Sequence, residues 1–338
     1  MSSRKKATRS PAKLSRQAFR DRFEEMVSNI GRVIKGKDDV VRMSLTCLLA
    51  NGHILFEDMP GTGKTMLARS IAQTINAESS RIQCTPDLLP ADVTGSPVLD
   101  RKTGDFIFRP GPVFASVFLA DEINRASPKT QASLLEAMAE RNVTVDGVTH
   151  PLPRPFFVLA TQNPIELAGT FPLPEAQLDR FLFKLSLGYM DTEAEIEVLD
   201  TNRKQHSIES LEPVVDTAEV IAMMEWCTEV SCSDPVKRYM VELVQGTRND
   251  PALLVGASAR ATMSLFSAAR VLAASQGRDD VLPDDVKRLA MPVLAHRMLL
   301  TPDAMLREDT VEQVVERLVT RVKIPTGAGG RQPAAATA

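Results

Sequence analysis

The apolar positions change their period along the chain. Up to about residue 190, short apolar runs at residues 54–56, 81–84, 117–120, 156–160 and 181–187 alternate with segments of helical spacing. Runs this short, bounded by turn residues, read as buried parallel strands, and the alternation predicts an α/β fold with a three-layer core. Phe19, Phe23, Met26, Val27 and Ile30 fall at helical spacing ahead of the first run. From about residue 192 to 322 the pattern is helical. Val220, Met223, Met224 and Cys227 share a face, and residues 261–274 and 284–294, the latter after Pro283, add further helices. Thr192 with Glu195 reads as a cap for a helix running through Leu199. The expected organisation is an α/β core over 16–190 and a smaller all-α domain over 191–324. Residues 1–15 and 325–338 lack apolar anchors and are expected to be flexible tails.

Two turn-centred excursions interrupt the α/β part. Asp146-Gly147 sits between β-branched residues 143–145 and 148–149, a strong hairpin signal. Residues 99–106 suggest a second excursion. Each reads equally as a tolerated surface loop or as a protruding contact element.

Composition narrows the class. An apolar fraction of 43% with 25% charged residues is ordinary for a soluble globular chain. No stretch approaches the ~18 apolar residues of a membrane span, and no signal-peptide core follows the basic start, so no membrane insertion and a cytoplasmic location are expected. Residues 1–22 hold eight Lys or Arg against one Asp, while the rest of the chain is acidic. A basic arm suits nucleic acid or an acidic partner, but the acidic body argues against a large nucleic-acid-binding face. Cys47, Cys84, Cys227 and Cys232 have no metal-site spacing and read as reduced core thiols. His53, His150, His206 and His296 are scattered and fit no triad or metal pattern.

Candidate chemistry begins where the first run ends. Glu-Asp-Met-Pro-Gly-Thr-Gly-Lys-Thr at 57–65 joins a strand to a helix, as in a nucleotide phosphate loop. Pro60 and Gly61 supply the turn, and backbone N–H groups across Gly61, Thr62, Gly63, Lys64 and Thr65 can wrap phosphate oxygens. Met66 belongs to the same helix start, whose positive dipole end faces the anion. Lys64 can bridge the terminal phosphates, and the Thr65 hydroxyl can ligate Mg²⁺. Asp58 stands where the strict pattern has glycine, and aspartate tolerates a left-handed backbone better than most residues. The run at 117–120 ends in Asp121-Glu122, at the edge where open α/β sheets bind ligands. Asp121 can hold the Mg²⁺ shell, and Glu122 can orient or deprotonate a water. The run at 156–160 leads to Asn163, an amide placed to align that water or an ordinary turn residue before Pro164. Arg180 either pairs with Asp179 or nearby acids, or reaches a phosphate held by a neighbouring subunit. No Asn-Lys-x-Asp string is present to read guanine, which disfavours a GTPase.

Phosphate loop, Asp-Glu strand, strand-end asparagine, later arginine and helical lid occur in the order of AAA+ ATPases. Residues 119–131 (LADEINRASPKTQ), 160–164 (ATQNP), 171–181 (FPLPEAQLDRF) and 256–261 (GASARA) closely resemble the MoxR family. The resemblance covers roughly residues 20 to 324. It implies that Asn163 is the sensor 1 residue, Arg180 a trans-acting arginine finger, and Arg260 the sensor 2 arginine of the lid. It also places residues 33–36, ending at Gly36, beside adenine, and makes the two excursions the helix 2 insert and the hairpin before sensor 1. Ala259 stands where the family more often has Pro.

The implied function is Mg²⁺-dependent ATP hydrolysis by a ring-forming homo-oligomer, a hexamer by superfamily habit, that remodels protein partners in a chaperone-like way. The family association points to partners bearing a von Willebrand factor A (VWA) domain. The rivals are an AAA+ nucleic-acid motor, supported only by the basic arm, and an ATP-gated scaffold without turnover, disfavoured by the presence of both Glu122 and Arg180.

Overall fold

The alternation within each apolar run builds both faces of one sheet. The computed structural model describes residues 14–165, 169–196 and 208–325. In chain order, its central strands are β1 (Ile54–Glu57), β2 (Ser79–Gln83), β5 (Val117–Asp121), β8 (Phe157–Gln162) and β9 (Phe183–Leu185). They form a five-stranded sheet in the order β2-β5-β8-β1-β9, and every pairing is parallel. Successive side chains point to opposite faces. Ile54, Phe56, Val117, Leu119, Phe157 and Leu159 therefore enter one core, and Leu55, Phe118, Ala120, Val158 and Ala160 enter the other. All five runs expected as strands are strands.

Three helices of the α/β part bury apolar faces on this frame. These are α1 (Arg16–Gly31), α2 (Asp38–Leu49) and α3 (Lys64–Thr74), and their buried residues join the first core. On the opposite face lies α5 (Pro128–Glu140), which follows the short helix α4 (Pro90–Thr94) and brings Leu134, Leu135 and Met138 into the second core. The expected three-layer α/β architecture is thus present. Both excursions are antiparallel hairpins, β3 (Gly95–Leu99) with β4 (Phe106–Pro110) and β6 (Asn142–Val145) with β7 (Val148–Pro151). Asp146 and Gly147 both have positive φ, as a two-residue type I′ turn requires. Phe108 stacks on His150 with ring centroids 4.0 Å apart, which ties one hairpin to the other.

Beyond the short helix α6 (Glu175–Leu178) and β9, the chain turns helical. The lid holds α7 (Thr217–Cys227), α8 (Asp234–Arg248), α9 (Ala259–Ser275), α10 (Pro283–Leu294), α11 (Pro302–Leu306) and α12 (Val311–Arg321). A two-stranded antiparallel ribbon, β10 (Leu253–Val255) with β11 (Leu299–Leu300), departs from the expected all-α content. The lid's apolar residues are continuous with the first core.

One capping assignment is corrected. Asp191, not Thr192, caps the helix that follows, since its carboxylate accepts from the Ala194 N–H at 2.8 Å. The far part of that helix, the N-terminal tail through residue 13, His206 and the tail from 326 lie outside the described residues. The four cysteines are buried and free, and burial raises each thiol pKa, so none is a ready thiolate. His53 is also structural. Its Nδ1 accepts from the Val158 N–H at 3.0 Å, and burial first, then the Arg141 charge, pushes its pKa down to about 3.

Candidate active site

The carboxyl ends of β1, β5 and β8 converge on one cavity of about 380 Å³. Its wall includes Pro60, Gly61, Thr62, Gly63, Lys64, Thr65 and Met66 from the loop after β1, Asp121 and Glu122 from β5, and Asn163 from β8. Ten of the expected site residues therefore meet in one place, although Lys64 and Asp121 are far apart in sequence.

The loop's shape follows from its glycines. Gly61 has φ +85° and Gly63 has φ +97°, values that L side chains rarely adopt. Gly63 is the N-cap of α3 and has no side chain to satisfy the first N–H groups of the helix. These orphan donors, with the dipole behind them, make an anion site. Lys64 is buried and donates from Nζ to the Met59 carbonyl at 2.8 Å and the Asp58 carbonyl at 3.3 Å. Burial lowers its pKa, against the opposing fields of Asp58, Asp121 and Glu122.

Asp58 does not adopt the left-handed backbone for which aspartate is suited. Its role is in its side chain. One oxygen accepts from the Ser186 hydroxyl at 2.6 Å and the Gly188 N–H at 2.9 Å, and the other accepts from the Leu187 N–H at 2.7 Å. The departure from glycine thus fastens the phosphate loop to the segment leaving β9.

On the acidic side, one residue unread in the sequence organises two that were expected. The Thr161 hydroxyl donates to Asp121 Oδ1 at 2.6 Å and accepts from the Glu122 N–H at 2.8 Å. Glu122 sits in the left-handed region at φ 55°, ψ 53°, and its Oε2 accepts from Arg125 Nη1 at 2.9 Å. Asp121 Oδ2 accepts from Arg81 Nη2 at 2.7 Å. The sequence signal for Thr161 is only that of a polar residue at a strand end, which Asn163 two places later shares. Asn163 Oδ1 accepts from the Ile165 N–H at 3.2 Å, the turn geometry that was its plainer reading, while the residue also faces the cavity. Thr161→Val removes both hydroxyl bonds with little change of shape. It is expected to cut turnover at least about tenfold and destabilise the fold by about 1–3 kcal/mol. Steady-state phosphate release and urea unfolding of the variant would check this.

Thr65 and Asp121 offer a hydroxyl and a carboxylate to the same cavity. A small set of hard oxygen donors, completed by phosphate and water, fits Mg²⁺ better than softer metals. No cluster of three or more His, Cys, Asp or Glu suited to a dedicated metal cage occurs among the described residues.

Three expected residues lie outside the cavity wall. Gly36, at φ +67°, packs against Ala194 and Asp191. Arg180 follows α6 and is half-buried, and Arg260 is exposed in the first turn of α9. Asp179 does not pair with Arg180. It takes Arg297 Nε at 2.7 Å instead.

A model of the ATPase family associated with various cellular activities (AAA) matches residues 53–183, and an AAA lid domain model matches residues 245–318. Chaperone MoxR1 of Mycobacterium tuberculosis is 40% identical over 312 residues, covering 90% of this chain and 82% of its own. The protein YeaC of Bacillus subtilis is 50% identical over 299 residues, covering 88% and 93%. A Cytophaga hutchinsonii protein, solved as a candidate ATPase, superposes with a TM-score of 0.86 at 36% identity, over 92% of this chain and 97% of that one. The chain belongs to the MoxR family of AAA+ ATPases.

Proposed function

We propose that this protein hydrolyses ATP in a ring-like homo-oligomer, with six subunits by superfamily habit, and uses the cycle to remodel protein partners in the cytoplasm. The observation that supports this most is the single cavity shared by the glycine-shaped loop with Lys64 and Thr65 and by the carboxylates of Asp121 and Glu122. The backbone donors from Gly61 to Thr65 hold the phosphates, and Lys64 turns from its loop carbonyls to the β- and γ-phosphates. Bound Mg²⁺ would neutralise charge on those phosphates, with Thr65 and Asp121 as its protein ligands. Glu122 orients and deprotonates the attacking water, and Asn163 aligns it. Arg180 enters the site of the next subunit, while Arg260 closes from the lid of its own. Residues 33–36 border the adenine.

The partner class is inferred as VWA-domain proteins, on the strength of the family relationship. Phosphate release should require Mg²⁺ and fall to background with excess EDTA, and light scattering should detect an assembly in ATP. Glu122→Gln protein in ATP should retain a VWA-domain partner that Lys64→Ala protein does not. Strong stimulation of turnover by DNA or RNA would replace this reading with a nucleic-acid motor. ATP binding without phosphate release would replace it with a scaffold.

A further inference from the structure

The segments that carry the two arginines absent from the cavity wall are tied together by one carboxylate, that of Asp179. Asp179 Oδ2 accepts from the Ser258 hydroxyl at 2.9 Å, and Asp179 Oδ1 accepts from Arg297 Nε at 2.7 Å. Arg180 is the next residue after Asp179. Ser258 is the N-cap of α9, and its hydroxyl also accepts from the Arg260 N–H at 3.1 Å. Arg297 is buried, and its guanidinium donates to the Phe181 carbonyl at 2.6 Å and the Leu182 carbonyl at 3.3 Å. The neighbouring His296 Nε2 lies 3.1 Å from the same Phe181 carbonyl, to which it donates. The turn carrying Arg180 is therefore bolted to the lid at both ends of a short segment, while the side chains of Arg180 and Arg260 take no hydrogen bond or ion pair among the described residues.

Fixed anchors beside free arginine heads are what a transmitted motion needs. We propose that Asp179 is a positioning residue that makes the start of α9 and the Arg180 turn move as one body. Engagement of a γ-phosphate by Arg260 in one subunit would then set the reach of Arg180 toward the next. This rests on the reading of Arg180 and Arg260 given above. The physical requirement for such coupling is a contiguous set of contacts with two arrangements that both sites bias. Ser258–Asp179 is the exposed, breakable member of the set, and Arg297–Asp179 is the permanent one.

The test mixes wild-type subunits with catalytically silent ones and reads the wild-type turnover. Every silent subunit carries Glu122→Gln, alone or together with Arg180→Ala, Ser258→Ala or Ser258→Thr. Ser258→Ala is chosen because Asp179→Asn would leave the buried Arg297 charge without its carboxylate and risks the fold. In a blend of one wild-type to three silent subunits, Glu122→Gln with Ser258→Ala is expected to lower wild-type turnover about fourfold below the blend with Glu122→Gln alone, because each affected site loses its finger. Ser258→Thr, which keeps the hydroxyl, should restore it. Binding of a fluorescent ATP analogue by the Ser258→Ala subunit should stay within about twofold of wild type, since its own phosphate loop is untouched. A merely local role for Ser258 would not slow a neighbour. If Arg180→Ala slows the neighbours and Ser258→Ala does not, the coupling is wrong and the finger survives. If Arg180→Ala itself has no effect on the neighbours, the finger reading is wrong and the coupling falls with it.

Discussion

Replacing Asp58 by glycine, the residue that the strict phosphate-loop pattern prescribes, is expected to destabilise the protein by about 3–5 kcal/mol. The gain imagined for glycine is backbone freedom, but Asp58 has no positive φ for glycine to relieve. Glycine would instead add chain entropy to the unfolded state, a cost of about 0.5–1 kcal/mol. The larger loss is three charge-assisted hydrogen bonds that Asp58 accepts from Ser186, Leu187 and Gly188, one of them from the buried Leu187 N–H. Those donors would be left without their acceptor, and Lys64 would lose one of the three carboxylates that favour its charged form. The segment leaving β9 leads toward the lid, so its release should loosen nucleotide binding as well as the fold. Urea unfolding and ATP titration of Asp58→Gly would measure both. A midpoint and an affinity equal to wild type would show that the carboxylate clamp is ornamental.

Asp58 marks the limit of what local sequence encodes. Features with a local cause were legible. The strands follow from apolar runs whose alternate residues face two cores, and the hairpin at 146–147 follows from an Asp-Gly pair that tolerates two positive φ values. Gly61 and Gly63 were marked by the loop they must bend, and Asp121-Glu122 by their place at a strand end. What stayed hidden has a tertiary cause. The partners of Asp58 lie on a segment more than a hundred residues away, and so does the Arg297 that claims Asp179. A carboxylate beside an arginine, as in Asp179-Arg180, suggests a neighbour pair, yet adjacent residues on a turn point apart and the buried guanidinium wins. Thr161 is not legible in sequence because a lone hydroxyl has no pattern of its own. Its importance comes from Asp121 at the end of the adjacent strand and the backbone N–H of Glu122 just past it.

Glu122→Gln is expected to lower turnover by about 10²–10⁴-fold while ATP affinity stays within about threefold. The prediction depends on what glutamine keeps. Its backbone can hold the same left-handed conformation, with the N–H still donated to Thr161. Its side-chain oxygen can still accept from Arg125 as Glu122 Oε2 does now at 2.9 Å. Shape, cavity wall and phosphate donors are therefore preserved, and the one property removed is the capacity to take a proton from water. A charge effect works in the opposite direction. Removing one of the carboxylates near Lys64 leaves its ammonium fewer competitors for phosphate, so binding should tighten rather than weaken. Single-turnover phosphate release with ATP bound in advance separates these two effects. Slow release from a fully loaded variant would place the loss in the chemical step. Release at the wild-type rate would mean that Glu122 is a structural partner of Arg125 and that the base must be sought elsewhere in the cavity.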